Sequence, residues 1–181
     1  MHADPLVWGH GPRRLEVFLE PTCPFSARTF AKLDELLQRA GEDHLTIHLR
    51  LQPQPWHAFS PITTRAVLAA ATTPGGKAAA RAVLTAIFGH HEAFEPAEHC
   101  QGELLERSPH ALITQIEALS GVALMSAWQD PALTPHIKWQ ARYARQNGIH
   151  VTPTFMIDGL VVADMGSGEP VEQWLGRLGL G

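Results

Sequence analysis

Cysteine is scarce in this chain: its 181 residues include two, Cys23 and Cys100. Two are too few for a disulfide scaffold, which fits a reducing compartment. Positive charge is scarce as well. Lysines and arginines number 14 against 18 acidic residues, a net charge of −4 with neutral histidines, and no basic cluster occurs. That balance gives no electrostatic case for nucleic acid. No apolar run approaches the roughly 20 residues that span a bilayer. The alanine-rich stretches lack the basic amphipathic face of a membrane-surface helix, and close helix packing explains them better. Met1 to Pro12 lack the basic region and apolar core of a signal peptide, so a cytoplasmic location is expected. His90, His91 and Glu92 are adjacent, with His99 and Cys100 nearby, yet no His-Glu-x-x-His or paired Cys-x-x-Cys spacing appears. No metal site is expected, and these read as helix-end and loop histidines.

What is present is one domain's worth of patterned sequence, long enough for a sizeable core and an insertion. Met1 to Arg14 reads as a tail. Leu15, Val17 and Leu19 alternate with Glu16, Phe18 and Glu20, a strand with one apolar face and one mixed face. A helix follows over Ala27 to Ala40, burying Phe30, Leu33, Leu36, Leu37 and Ala40, and Gly41 can close it. Leu45 to Leu51 alternates again. Strand, helix and strand in this order imply a right-handed crossover and a parallel pair. Gln52 to Ser60, with Pro53 and Pro55, is a loop. Helical patterns then fill 62–73, 76–89, a segment capped by Ser108-Pro109, a short piece at 122–129, and a segment opened by Thr134-Pro135. Period two returns at Thr154 to Ile157 and Leu160 to Ala163, joined by Asp158-Gly159, a strong type I′ hairpin signal. Pro170 opens a last helix with Val171, Trp174, Leu175 and Leu178 on one side.

Cys23 sits where the first strand gives way to the first helix. Backbone N–H groups at a helix start have no partner and the dipole is positive there, which favours the reactive thiolate. Pro24 suits the first helical turn. The reading is an exposed nucleophile at a helix tip, set against that of a buried structural thiol. The expected reaction is thiolate attack on a disulfide sulfur, giving a mixed disulfide. Ser26 stands where a redox dithiol has its second cysteine, and a hydroxyl cannot resolve the adduct. It is open to Ser26 either to donate a hydrogen bond to the Cys23 thiolate or simply to occupy an early helical turn. Cys100 reads either as a remote resolving thiol or as a bystander, and their separation decides which. Trp56 and His57, in the proline-rich loop, either line the site or pack ordinarily.

The Cys23-Pro24-Phe25-Ser26 motif resembles the DsbA-like branch of the thioredoxin superfamily. The downstream Val151-Thr152-Pro153-Thr154-Phe155 stretch is similar to the Thr-Pro or Val-Pro pair that thioredoxin-like folds carry. The resemblance implies an α/β thioredoxin-like fold, β-α-β then β-β-α, with an all-helical insertion. Its halves would be 1–52 and 149–181, with the insertion at 53–148. It also implies a cis Pro153 facing Cys23, with the Thr152 backbone pairing an extended substrate by strand addition. Pro24, Phe25, Trp56 and His57 would join Thr152 and Pro153 in binding it. Two family features are missing. Val17 occupies the position of the buried acid six residues before the cysteine, with Glu16 pointing the other way and Glu20 near the strand end. Phe25 replaces the histidine that DsbA has between its cysteines.

Three functions follow as expectations. The first is thiol–disulfide exchange with a protein or small-molecule disulfide, using one cysteine. No tightly bound cofactor is expected, and glutathione is a plausible co-substrate. The second is a glutathione transferase or isomerase resembling the kappa class, which uses a serine near the position of Cys23. The third is a binding module without catalysis. Oligomeric state is not legible in the sequence.

Overall fold

The structure is a computed structural model and describes residues 6–96, 98 and 101–181. Five strands form one sheet in the order β1-β3-β2-β4-β5. They are β1 (Val7–Gly9), β2 (Arg13–Leu19), β3 (Leu45–Leu51), β4 (Thr154–Ile157) and β5 (Leu160–Val161). β2 and β3 run parallel, with Val17 opposite Leu49, and β2 pairs antiparallel with β4, with Val17 opposite Phe155. This is a mixed α/β thioredoxin-like fold, as the resemblance of the cysteine and proline motifs implies.

β1 replaces part of the expected tail. Val-Trp-Gly is too short to show alternation, but it pairs antiparallel with β3, Val7 opposite His48. Gly9 has φ 73°, and a Cβ there would meet the Leu45 carbonyl oxygen at 2.1 Å, so only glycine fits this crossing.

The expected single helix over 27–40 is two: α1 (Pro24–Phe30) and α2 (Leu33–Ala40). At the break, Lys32 Nζ donates to the carbonyls of Ser167 (2.8 Å) and Glu169 (2.7 Å) in the C-terminal segment and lies over the Trp174 ring. α2 and the last helix, α8 (Val171–Leu178), pack together on one face of the sheet, burying Leu36, Trp174 and Leu178 against Leu15, Val17 and Leu19.

Between β3 and β4 the described elements are helical: α3 (Ser60–Thr72), α4 (Gly76–Gly89), α5 (Pro109–Ser120), α6 (Met125–Trp128) and α7 (Leu133–Gln146), with short 3-10 turns at His91–Ala93 and Glu103–Glu106. Ala66, Ala69, Ala70 and Ala80 are fully buried where α3 meets α4, so the alanines do serve close packing. Ser108 caps α5 by accepting the Ala111 N–H. The Thr134-Pro135 signal is displaced. α7 starts at Leu133, Asp130 Oδ1 accepts the Ala132 N–H at 2.8 Å, and the Thr134 hydroxyl serves Arg65 instead. No helix among the described residues is long and apolar enough to cross a membrane.

α7 covers the mixed face of β2, so Glu16 and Phe18 are buried. The buried Glu16 carboxylate is bridged by Arg50 at 2.9 and 2.8 Å and accepts the Tyr143 hydroxyl at 2.9 Å. Burial and that carboxylate both push the Tyr143 hydroxyl above its ordinary pKa.

Candidate active site

The C-terminal end of β2 delivers the chain to Cys23, which is the N-cap of α1 with extended backbone, φ −81° and ψ 123°. A bond from Cys23 N–H to the Glu20 carbonyl (3.1 Å) makes the turn, and the Cys23 carbonyl takes the Ala27 N–H (3.0 Å), starting the helix. The Thr152–Pro153 peptide is cis. The Cys23 thiol lies 3.7 Å from the Thr152 carbonyl oxygen, to which it donates. Two stretches 129 residues apart in sequence thus meet at the sulfur.

Cys23 is only 5% exposed, which corrects the expectation of an open helix tip. The 150s loop covers one side and the buried Pro21 and Thr22 another. The helix behind it is also shorter than expected. Seven residues carry fewer aligned peptide dipoles, so α1 lends less positive potential than one long helix would. Around the covered sulfur the chain exposes apolar side chains: Phe25 at 54%, Trp56 at 49% and Val151 at 59%, with Pro24 exposed too. Arg28 lies 5.7 Å above the Phe25 ring. Thr152 and Pro153 are half-buried, and Pro153 lines a cavity of about 260 Å³ with Val151, Val161 and Met165.

Ser26 is fully buried, and its Oγ accepts the Glu20 N–H at 3.1 Å. The structure therefore gives it a bond that ties the strand end to α1, rather than one to the Cys23 sulfur. Cys100 and His99 lie outside the described residues. Among the described residues, no three His, Cys, Asp or Glu side chains are placed to hold a metal.

The structure adds a polar cluster that sequence reasoning missed. Glu20 is fully buried just beyond β2, and its Oε2 accepts the Thr22 N–H (2.8 Å) and hydroxyl (2.9 Å). The Thr22 oxygen is 3.0 Å from His57 Nδ1, and the same nitrogen is 3.0 Å from Glu95 Oε2 and 3.8 Å from Glu20 Oε2. Burial pushes the Glu20 carboxyl above its usual pKa. The Ser60 hydroxyl, His57 and the two Thr22 donors pull the other way. So an acid does lie near the cysteine, three residues before it rather than six. The Glu-Pro-Thr-Cys spacing was its only signal. Glu95 had none, being 73 residues from Thr22.

A family model described as thioredoxin matches residues 10–176. The chain belongs to the thioredoxin family. Among solved structures it is similar to a provisionally named protein-disulfide isomerase from Pseudomonas syringae. The two are 55% identical over 98% of this chain and 99% of that one, with a TM-score of 0.96. Pseudomonas aeruginosa DsbA2 shares the thioredoxin-family fold at 21% identity, covering 95% and 94% of the two chains, TM-score 0.66. A protein-disulfide isomerase from Novosphingobium aromaticivorans does so at 16%, covering 95% and 96%, TM-score 0.70. No curated protein matches the chain. By structure, this thioredoxin-family protein shares its fold with DsbA proteins.

Proposed function

We propose that the protein catalyses thiol–disulfide exchange with a single cysteine, and that an external thiol of the glutathione class releases the product. The observation that carries this reading is the meeting of Cys23 Sγ with the Thr152 carbonyl beside Pro153. In this reading the Cys23 thiolate attacks a substrate disulfide, one substrate thiol leaves, and the other sulfur stays on Cys23. An extended polypeptide fits the exposed rim of Phe25, Trp56 and Val151, with the Thr152 backbone offering main-chain hydrogen bonds once the thiol is ionised. Ser26 is buried, bonded to the Glu20 N–H and without a thiol, so it does not resolve the adduct.

The test uses a Cys100→Ser protein, so that one thiol remains. Incubated with oxidised glutathione, it is expected to gain one glutathione on Cys23, detected by mass, and to lose it again to reduced glutathione. Absence of an adduct on the folded protein overturns the reading.

A further inference from the structure

The outer face of α7 is basic, and the exchange as written above makes no use of it. Lys138, Arg142 and Arg145 are spaced four and three apart, so they form no run in the sequence. At about 100° per residue the helix gathers them into an arc of roughly 60°. The arc lies opposite the face that Leu133, Gln140 and Ala144 bury, and all three cations are exposed.

Two features set this stripe apart from an ordinary solvated helix. Surface cations commonly meet a carboxylate one turn away, but α7 contains no aspartate or glutamate. Among the described residues, the side chains of Lys138, Arg142 and Arg145 make no ion pair, hydrogen bond or ring contact. The carboxylate that α7 covers, Glu16, is buried and bridged by Arg50. Like charges one turn apart repel, so the stripe weakens the helix that carries it. The whole chain meanwhile has a net charge of −4. Its negative remainder repels a long polyanion, whereas a short acidic segment meets the stripe alone.

The stripe leads directly to the site. At the end of α7 the Gly148 and Ile149 N–H groups bond back to the carbonyls of Arg145 (3.1 Å) and Ala144 (2.9 Å). Ile149 is buried with Phe18 and Met156, which ties the exit of the helix to the sheet. The exposed His150 and Val151 follow, then Thr152, whose carbonyl accepts the Cys23 thiol. Thr152 lies seven residues beyond Arg145, which bounds their separation at about 25 Å. A polypeptide held at Cys23 reaches the stripe with about eight extended residues.

We propose that the basic face of α7 docks the substrate, and that the preferred substrate is a polypeptide disulfide with an acidic segment about eight residues from its cysteine. This rests on the exchange reading above. The cations steer the acidic segment to the protein and hold it there, while the bond exchange at Cys23 is unchanged. The selectivity therefore appears in the second-order rate constant and weakens with salt.

The experiment uses the Cys100→Ser protein and peptides whose single cysteine is joined by a disulfide to a chromophoric aryl thiol. Cys23 attacks the peptide sulfur, the peptide stays on Cys23, and the aryl thiolate leaves and is measured. One peptide carries glutamates about eight residues from its cysteine, and its twin carries glutamines there. At low salt the glutamate peptide is expected to react about 10-fold faster, and at high salt no more than about twofold faster. Lys138→Gln, Arg142→Gln and Arg145→Gln together, which keep helix propensity, are expected to abolish the preference and leave the glutamine peptide's rate unchanged. Equal rates for the two peptides in the parent, or equal slowing of both in the triple variant, overturn the proposal. Fluorescence anisotropy with a Cys23→Ser, Cys100→Ser protein reads docking without chemistry. There the glutamate peptide is expected to bind, and to bind only with the three cations in place. Docking without any reaction at Cys23 in the parent means that the exchange reading alone has failed. Tighter binding of a single-stranded oligonucleotide, or of anionic phospholipid vesicles, gives the stripe to that partner and overturns the proposal.

Discussion

At Glu20 a carboxyl is fully buried, and the folded protein binds its proton more tightly than the unfolded chain does. The sign follows from linkage: where the native state holds the extra proton, stability falls as pH rises. The fall begins near the ordinary value of 4.5 and is complete once pH has passed the raised native value. Glu20→Gln removes this contribution. Chemical unfolding at several pH values should therefore find the variant gaining on the parent between pH 4.5 and neutrality, and a constant difference would show that Glu20 does not titrate this way. Ser26 teaches a related lesson. Its position three residues after Cys23 marks it as the missing second thiol, but only its burial against the Glu20 N–H shows what it does instead.

At the scale of elements, the β4–β5 hairpin is the clearest case of local sequence deciding local structure. Asp158 and Gly159 have φ of 49° and 87°, the two positive values that a type I′ turn requires. Asp158 Oδ1 also accepts the Arg14 N–H at 2.9 Å, and the carboxylate pairs with Arg13. The Arg14 N–H, then Arg13, hold its pKa below the usual carboxylate range. Asp158→Ala should cost about 1–2 kcal/mol, since alanine is disfavoured in left-handed backbone. Asp158→Asn, which tolerates that backbone and keeps an acceptor, should cost less. Urea midpoints measure both, and an alanine variant as stable as the parent would refute the argument. The break between α1 and α2 had no such local signal, and the Lys32 beside it bonds to carbonyls 135 and 137 residues away.

At the scale of the molecule, the helical block is fastened to the sheet by polar bonds as well as by apolar packing. Gln140 of α7 accepts the Leu51 N–H at 2.6 Å, at the end of β3 and next to the loop that carries His57. Gln140→Leu keeps the volume but leaves that N–H buried and unpaired, which should cost about 1–3 kcal/mol. The check is the urea midpoint; a neutral or stabilising result would mean that packing alone docks α7. The roof that α7 makes over Glu16 and Phe18 covers the mixed face of β2, where Arg50 and Tyr143 supply the partners of the buried Glu16.

The sequence by itself determined the period of the longer strands and most helices, the hairpin turn, the α5 cap, and the two motifs that contain Pro24 and Pro153. These depend on backbone preferences and on neighbours a few residues apart, which the chain order states directly. The tertiary structure alone decided that Cys23 is covered, that Ser26 bonds the strand end, and that Glu20, Thr22, His57 and Glu95 share one buried cluster. Burial and electrostatic partnership depend on distance through space, and residues separated by 35 to 73 positions acquire that distance only when the chain has folded.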